Sequence, residues 1–283
     1  MSAVGQAPVR LDGPDRVTGR ARYAIEHPVD GPLHAWLVQA RVAVGATTHV
    51  VGARTVLWQI AADALGVDPA RVRVDIAVSD LPAASGAGGS SGTSSWGSAV
   101  HKACRTLCDG TAAEVVVDTA DDIAAQSEVS RHAFGAQFAE ARVDLDSGEV
   151  RVPRMLGVFA VGRIINPRTA RSQLLGGMVM GLSMALHESG TLDIGYGDYA
   201  NSSLTDYHVA THADVVDVQA EWVEEHDDQL NAIGTKGIGE IGIVGSPAAV
   251  LNAVWHATGV RVRELPITPD RLLGGLPERQ DVL

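Results

Sequence analysis

Cysteine and aromatic residues are scarce in this chain. Among its 283 residues, only Cys104 and Cys108 are cysteines, and 4% are aromatic. A spacing of four puts both cysteines on one face of a helix, which suits neither an iron–sulfur cluster nor a zinc site without further ligands. We therefore expect two small core residues in a reducing compartment. Electrons from any redox chemistry must then leave through another chain.

Positive charge and long apolar runs are also lacking. The formal net charge is −12 and the pI is about 5.2, which argues against nucleic acid and anionic membranes as partners. No apolar run is long enough to span a bilayer, and residues 1–10 lack the pattern of a secretory signal. We expect a cytoplasmic protein, with periplasmic export on another subunit's signal as the alternative. The ten histidines show no metal-ligand spacing, so no metal ligand is assigned.

Strand and helix patterns follow one another without a regular βαβ rhythm, which predicts an α+β fold. Residues 1–44 are predicted to form an N-terminal arm, and residues 45–283 a single domain. Apolar spacing before Gly66 predicts a helix over residues 55–65. Two strands, at residues 134–144 and 149–159, are predicted to flank a turn.

A long helix is predicted to start at Asn166-Pro167 and to run towards His187, with a buried apolar face. That face consists of Leu174, Leu175, Met178, Leu182 and Leu186. Gly176, Gly177 and Gly181 lie inside this helix, at a cost of about 1 kcal/mol each relative to alanine. We therefore expect another segment to approach the helix closely at these glycines.

Small residues fill positions 85–95, ahead of a predicted helix at residues 96–107. Backbone amides and hydroxyl groups in such a segment can cradle a phosphate or another polar group. A flexible linker is the alternative that composition alone favours.

The most informative segment is the glycine-rich run at residues 234–245, which contains Glu240 and, close to it, Lys236. Glycine lets a backbone approach a ligand closely. A helix is predicted to follow, with Ser246 as its N-cap, Pro247 in its first turn and Gly259 beyond its end. Its predicted buried stripe consists of Leu251, Val254, Trp255 and Thr258. The run suits a bound anion or cofactor, and a structural turn with an exposed glutamate is the alternative.

Several motifs together resemble one family, the molybdopterin-binding (large) subunits of the xanthine dehydrogenase and aldehyde oxidase type. They are GTKGIGEIG at residues 234–242, GRIINP at 162–167, GGSSGT at 88–93, FGAQF at 134–138 and RELPITP at 263–269. The glycine–glutamate motif is highly specific, and the resemblance covers residues 55–273. Bacterial three-subunit aldehyde dehydrogenases are the most similar members.

The resemblance also implies an internally shortened subunit. Residues 10–23 resemble the start of the same large subunit, yet the chain then passes directly into what resembles its second cofactor-binding domain. Where the family carries a glycine-rich segment, this chain has the bulkier Val50, Val51 and Arg54. Close approach of backbone to a cofactor is harder beside β-branched residues.

What the resemblance implies for function is a molybdenum-dependent oxidoreductase that hydroxylates an aldehyde or an N-heterocycle with oxygen from water. Glu240 corresponds to the general base. The residues that correspond to cofactor-binding positions are Gly89, Ser90, Gly92, Thr93, Gln173, Lys236 and Gly237. On local chemistry alone, Lys236 is better explained as a solvated charge. The implied cofactor is molybdopterin with molybdenum, in the cytosine dinucleotide form usual in bacteria. Separate iron–sulfur and FAD subunits are the implied partners, besides a small-molecule substrate.

Most of the family's middle is absent from this chain, which leaves two alternatives to this function open. They are a non-catalytic, truncated paralogue, and half of a site that another polypeptide completes. A half-site neither encloses a large cofactor nor excludes water from it. We therefore expect the chain alone to bind little molybdenum.

Overall fold

The computed structural model describes residues 2–11, 13–18, 20, 40–44, 52–76, 84–110, 112–125, 130–227 and 229–277. Contacts divide the chain into two compact units. The first contains Met1–Ala133, Val161–Ala170 and Glu224–Gly237. The second contains Phe134–Ala160, Arg171–Val223 and Ile238–Leu283. The division into an arm at 1–44 and a domain at 45–283 stays a prediction, because many residues around that boundary lie outside the described ranges.

The first unit has two paired strands and four helices among its described residues. They are α1 Gly13–Val17, β1 Ala40–Val44, α2 Ala53–Leu65, β2 Val72–Ile76, α3 Gly92–Asp109 and α4 Ala120–Ala124. β1 and β2 are parallel, and α2 packs against both β2 and α3. The predicted helix at 55–65 is confirmed, and it ends at Gly66 in the left-handed conformation that glycine favours.

Arg54, one of the bulky replacements, lies at the start of α2 and contacts β2. Gly52 precedes the helix with a φ of 84°, and Arg54 in the first turn donates a hydrogen bond to Val74 O at 3.4 Å. The predictions about Val50 and Val51 lie outside the described residues. Inside this unit the buried Gln59 donates to Ala3 O at 2.6 Å, so a polar side chain anchors the N-terminal segment to the core.

The second unit holds five strands and four helices among its described residues. They are β3 Phe134–Val143, β4 Val150–Ala160, α5 Pro167–Leu186, β5 Leu192–Asp193, β6 Asp198–Tyr199, β7 Asp217–Trp222, α6 Ile241–Val244, α7 Ser246–Thr258 and α8 Pro269–Leu273. The first turn of α5 groups with the first unit. β4 pairs antiparallel with β3 and parallel with β7, and α7 packs on β3. A mixed sheet covered by helices confirms the α+β prediction.

Helix α5 follows its predicted boundaries closely. Asn166 caps α5 by accepting the Thr169 N–H at 3.1 Å. Leu174, Met178 and Leu182 are fully buried as predicted, whereas Leu175 and Leu186 are only partly buried.

The buried stripe predicted for α7 is partly wrong. Val250 and Val254 are buried, whereas Leu251 is half-buried and Trp255 is 37% exposed. Gly259 ends the helix with a φ of 76° as predicted, but its N-cap is Gly245 rather than Ser246.

The two cysteines differ from each other in their surroundings. Cys104 is buried in α3, and this burial raises the pKa of its thiol to about 11. Cys108 is exposed, so the expectation of two core cysteines is correct for only one of them. Among the described residues, no cluster of His, Cys, Asp and Glu side chains is suited to a metal ion. None of the described helices combines the length and apolarity needed to cross a bilayer.

Candidate functional site

In the first unit, a short turn at Gly88–Ser90 meets the loop at Gly237, backbone against backbone. Gly89 and Ser90 have φ values of 63° and 60°, a left-handed conformation that a residue with a side chain seldom adopts. A Cβ atom on Gly237 would lie 2.8 Å from Ser90 Cβ and 3.2 Å from Gly89 O. Position 237 therefore requires glycine. Three predicted cofactor residues, Gly89, Ser90 and Gly237, lie together.

The same turn leaves one side open. A Cβ atom on Gly88 or Gly89 would meet nothing within 4 Å. Left-handed Ser90 is followed by right-handed Ser91, a turn conformation in which successive N–H groups can form an anion-binding concavity. The Ser91 N–H donates to Gly88 O at 3.4 Å, whereas Gly88 and Gly89 are exposed. The segment is thus a turn packed against Gly237, with an exposed backbone at its two glycines.

Gly92 and Thr93 belong to a helix, which corrects the expected loop over residues 85–95. α3 starts at Gly92, and small polar residues in its first turn replace the loop predicted there. Gly92 is buried and Thr93 is half-buried. The next residue, Ser94, lies within hydrogen-bond distance of Thr235 Oγ1 at 2.9 Å. The start of α3 is therefore joined to the glycine-rich run by a contact that the sequence did not predict.

Lys236 is not a solvated charge, because its side chain is only 7% exposed and forms an ion pair with Glu225. The other carboxylate oxygen of Glu225 accepts the Gly162 N–H at 2.8 Å, and Lys236 N donates to Val161 O at 3.2 Å. A partly buried charge pair and two backbone hydrogen bonds thus join the start of the glycine-rich run to residues 161–162 and to Glu225. Within these contacts, Lys236 shapes the loop.

Asn231 organises the approach to the same loop. Its Nδ2 donates to Thr235 O at 2.7 Å, and its Oδ1 accepts the Thr235 N–H at 3.2 Å. Gly234 follows three residues later with a φ of 70° and closes a turn on Asn231 O. An asparagine three residues before a glycine is a turn signal, so the sequence carried a sign of this residue's role.

Glu240 lies in the second unit, directly before the one-turn helix α6. Its carbonyl oxygen accepts the Ile243 N–H at 3.1 Å, so its backbone is part of the turn. Its side chain is exposed, and it forms no hydrogen bond or ion pair with the residues that the structure describes. The described residues therefore present this carboxylate without enclosing it.

Close backbone packing holds the turn after Glu240. A Cβ atom on Gly177 of α5 would lie 2.9 Å from Gly242 Cα, and one on Gly242 would lie 2.5 Å from Leu174 O. A Cβ atom on Gly181 would overlap Ser246. The expected close approach to α5 is therefore confirmed at Gly177 and Gly181. It is wrong at Gly176, where an added Cβ would meet nothing within 4 Å.

Gln137 on β3 is a second anchor of this turn, and the sequence analysis noted it only within a motif. Its Nε2 donates to Ile241 O at 3.1 Å, and its Oε1 accepts from the Ser246 hydroxyl. The predicted pterin contact Gln173 lies on α5 in the same unit. It is half-buried, without a side-chain hydrogen bond to any described residue. The other predicted cofactor residues belong to the first unit.

A protein-family model described as the molybdopterin cofactor-binding domain matches residues 39–116 and 110–216. These matched segments contain the Gly88–Ser90 turn, the start of α3 and Gln173. They end before the loop that carries Glu240.

Named relatives and solved structures agree with this match. The chain is 36% identical over 260 residues to the aldehyde oxidoreductase molybdenum-binding subunit PaoC of Escherichia coli (strain K12), an alignment that covers 80% of this chain and 36% of that subunit. It is 40% identical over 140 residues to the putative xanthine dehydrogenase molybdenum-binding subunit XdhA of the same organism, covering 50% of this chain and 18% of that subunit.

Quinoline 2-oxidoreductase from Pseudomonas putida 86 has a similar fold, with a TM-score of 0.67 at 23% identity over 85% of this chain and 37% of that one. The chain thus spans little more than a third of the length of PaoC. Since the family model covers more than half of its residues, this chain belongs to the molybdopterin cofactor-binding domain family.

Proposed function

We propose that this chain supplies the cofactor-binding part of a molybdenum-dependent oxidoreductase that hydroxylates an aldehyde or an N-heterocycle with oxygen from water. The observation that carries the proposal is the close packing of Gly237 against Gly89 and Ser90, beside the exposed backbone of Gly88 and Gly89. The names of its relatives, an aldehyde oxidoreductase and a putative xanthine dehydrogenase, support the class of reaction.

The residues of the first unit would hold the polar side of molybdopterin in its cytosine dinucleotide form. Backbone donors at Gly89 and Ser90 would bind it, and the adjoining Gly92 and Thr93 would continue that surface. Lys236 would act through the shape of the loop, since its ammonium group contacts Glu225. In the second unit, the amide of Gln173 would contribute a hydrogen bond. When bound, the cofactor supplies the redox chemistry that adds oxygen to the substrate.

Glu240 would act as the general base. A base needs a carboxylate that can reach the proton it accepts. The carboxylate of Glu240 is exposed and not engaged by any described residue, while its backbone is fixed in the turn before α6. Electrons would leave through an iron–sulfur subunit and an FAD subunit, because this chain has only two cysteines. We place the complex in the cytoplasm, with periplasmic co-export as the alternative.

A half-site that another polypeptide completes, or a non-catalytic truncated paralogue, is the second candidate. The exposure of Glu240 favours it. The non-catalytic paralogue differs from the other two possibilities in what the chain retains. A working subunit or a half-site acquires molybdenum and pterin when its partner polypeptides are present, whereas a non-catalytic paralogue acquires none.

The test is to purify the chain alone and together with co-expressed partner subunits, and to measure molybdenum and pterin. We expect little metal on the chain alone and near-stoichiometric metal in the complex. In the complex, Glu240→Gln should abolish turnover and leave the cofactor content intact. Glu221→Gln, the same change at an exposed position of β7, should change neither turnover nor cofactor content. Near-normal turnover of Glu240→Gln would remove Glu240 from the mechanism.

A further inference from the structure

A single neutral side chain joins the two ends of the turn that follows Glu240. Gln137 donates to Ile241 O at 3.1 Å through Nε2 and accepts from the Ser246 hydroxyl through Oε1. Because a carbonyl oxygen can only accept, the contact with Ile241 fixes which end of the amide faces it. One residue of the sheet therefore holds both the start of α6 and the start of α7.

The packing around this amide is close on both sides. A Cβ atom on Gly245 would lie 3.1 Å from Gln137 Nε2. The Ser246 hydroxyl also lies 2.9 Å from Gly242 O, so its one hydrogen is shared between that carbonyl and the amide oxygen. The amide thus completes a small neutral network that restrains the turn at Ile241, Gly242 and Ser246.

The turn needs such support. A helix of four residues is far too short to be stable by itself. The side chain of Glu240 is not tied to any described residue, so the position of its carboxylate depends on the backbone to which it is attached. A loosened turn would spread the carboxylate over many positions, and proton transfer requires hydrogen-bond reach.

We propose that Gln137 is a positioning residue for Glu240: its amide fixes the turn after Glu240 and thereby the place from which the carboxylate accepts a proton. The proposal rests on the function proposed for Glu240. It adds Gln137, a residue of β3. This residue acts through the backbone of the turn and does not touch the reacting atoms.

The first test is amide hydrogen exchange on the full chain with Gln137→Leu, which keeps the bulk and removes both hydrogen bonds. The amides of Ile243 and Gly245, which close the turn on Glu240 O and Ile243 O, should exchange about tenfold faster. Amides of α3 should not change. The matched control is Gln219→Leu on β7, an exposed residue whose side chain bonds to Asp217, and it should leave the turn unaffected.

The second test is Gln137→Glu, which separates hydrogen bonding from space filling. A protonated carboxyl group at this position can donate to Ile241 O, whereas a carboxylate cannot. Exchange at Ile243, corrected for the intrinsic rate, should therefore be near normal at low pH and rise as that carboxyl group ionises. Pure space filling predicts no pH dependence, and exchange equal to that of the control at every pH would overturn the proposal.

Turnover of the assembled complex distinguishes the two proposals. Gln137→Leu should lower kcat about tenfold at unchanged molybdenum content, in line with the loss of its hydrogen bonds to the turn. If Glu240→Gln abolishes turnover and Gln137→Leu leaves kcat normal, positioning by Gln137 is wrong. If Glu240→Gln is itself fully active, the proposed function of Glu240 fails, and the exchange data still show whether Gln137 holds the turn.

Discussion

The two halves of the glycine-rich run are held in different ways. Residues 234–237, which belong to the first unit, are stabilised mainly by side-chain contacts. Glu225 pairs with Lys236, and Asn231 and Ser94 bind Thr235. In residues 239–245 of the second unit, backbone packing at glycines does most of it, helped by one amide. Apart from Gly237, which also leaves no room for a Cβ atom, the first half should therefore be most sensitive to the loss of a side chain, and the second to the addition of a methyl group.

The difference matters for the chemistry proposed for each half. The first half fixes a backbone surface for a ligand, and a charge pair can do this without disturbing the ligand's own contacts. The second half carries the proposed base. Its anchors, Gln137, Ser246 and the glycines, are all neutral, so none of them competes for the proton that Glu240 would accept.

The largest expected effect is the loss of the charge pair in the first half. Glu225→Leu removes an acceptor from the Lys236 ammonium group and from the Gly162 N–H, both in a partly buried site. Removing one member of a buried pair usually destabilises strongly, and we expect a loss of about 3 kcal/mol in the free energy of unfolding. Urea denaturation measures it.

A double variant shows whether charge is the reason. Glu225→Leu combined with Lys236→Met replaces the pair by apolar groups of similar size, which often restores much of the stability. Equal losses in the single and double variants would mean that the Gly162 contact, and not the charge on Lys236, dominates the first half.

A methyl group tests the second half. Gly177→Ala places a Cβ 2.9 Å from the backbone of Gly242, and we expect it to cost about 2 kcal/mol, as overpacking generally does. Gly176→Ala is the matched control, because it lies next to Gly177 in α5 and faces open space. It should stabilise the helix by up to about 1 kcal/mol. Thermal unfolding measures the change in stability of both variants. A change of the same sign in both would mean that close packing at Gly177 does not hold the second half.

The glycines show how far sequence alone could reach. Three glycines inside the predicted helix α5 indicated a close approach, and the helix itself followed from apolar spacing and the Asn166-Pro167 start. Which glycine was needed could not be predicted, because the partner Gly242 is more than sixty residues away in the chain. Local periodicity carries no information about such a contact.

The polar anchors of the site were harder to predict for the same reason. Glu225 and Gln137 look like ordinary residues of a polar loop and a half-exposed strand, and only the fold brings them to Lys236 and Ile241. The boundary of α3 was missed because a run of Gly, Ser and Thr is typical of loops, while the contact of Ser94 with Thr235 holds the first turn in place. Tertiary contacts overrode local propensity there.

The smallest expected effect concerns that contact. Ser94→Ala removes the hydroxyl that lies 2.9 Å from Thr235 Oγ1 and 3.3 Å from Thr235 O in the first half, and we expect a loss of about 1 kcal/mol in the free energy of unfolding, offset in part by the better helix propensity of alanine. Ser98→Ala is the matched control, because Ser98 lies one turn later and, among the described residues, its hydroxyl donates only to Ser94 O of its own helix. The amide of Lys236, which donates to Val161 O, should exchange faster in Ser94→Ala and not in Ser98→Ala. Equal exchange in the two variants would mean that Glu225 and Asn231 hold the first half without help from α3.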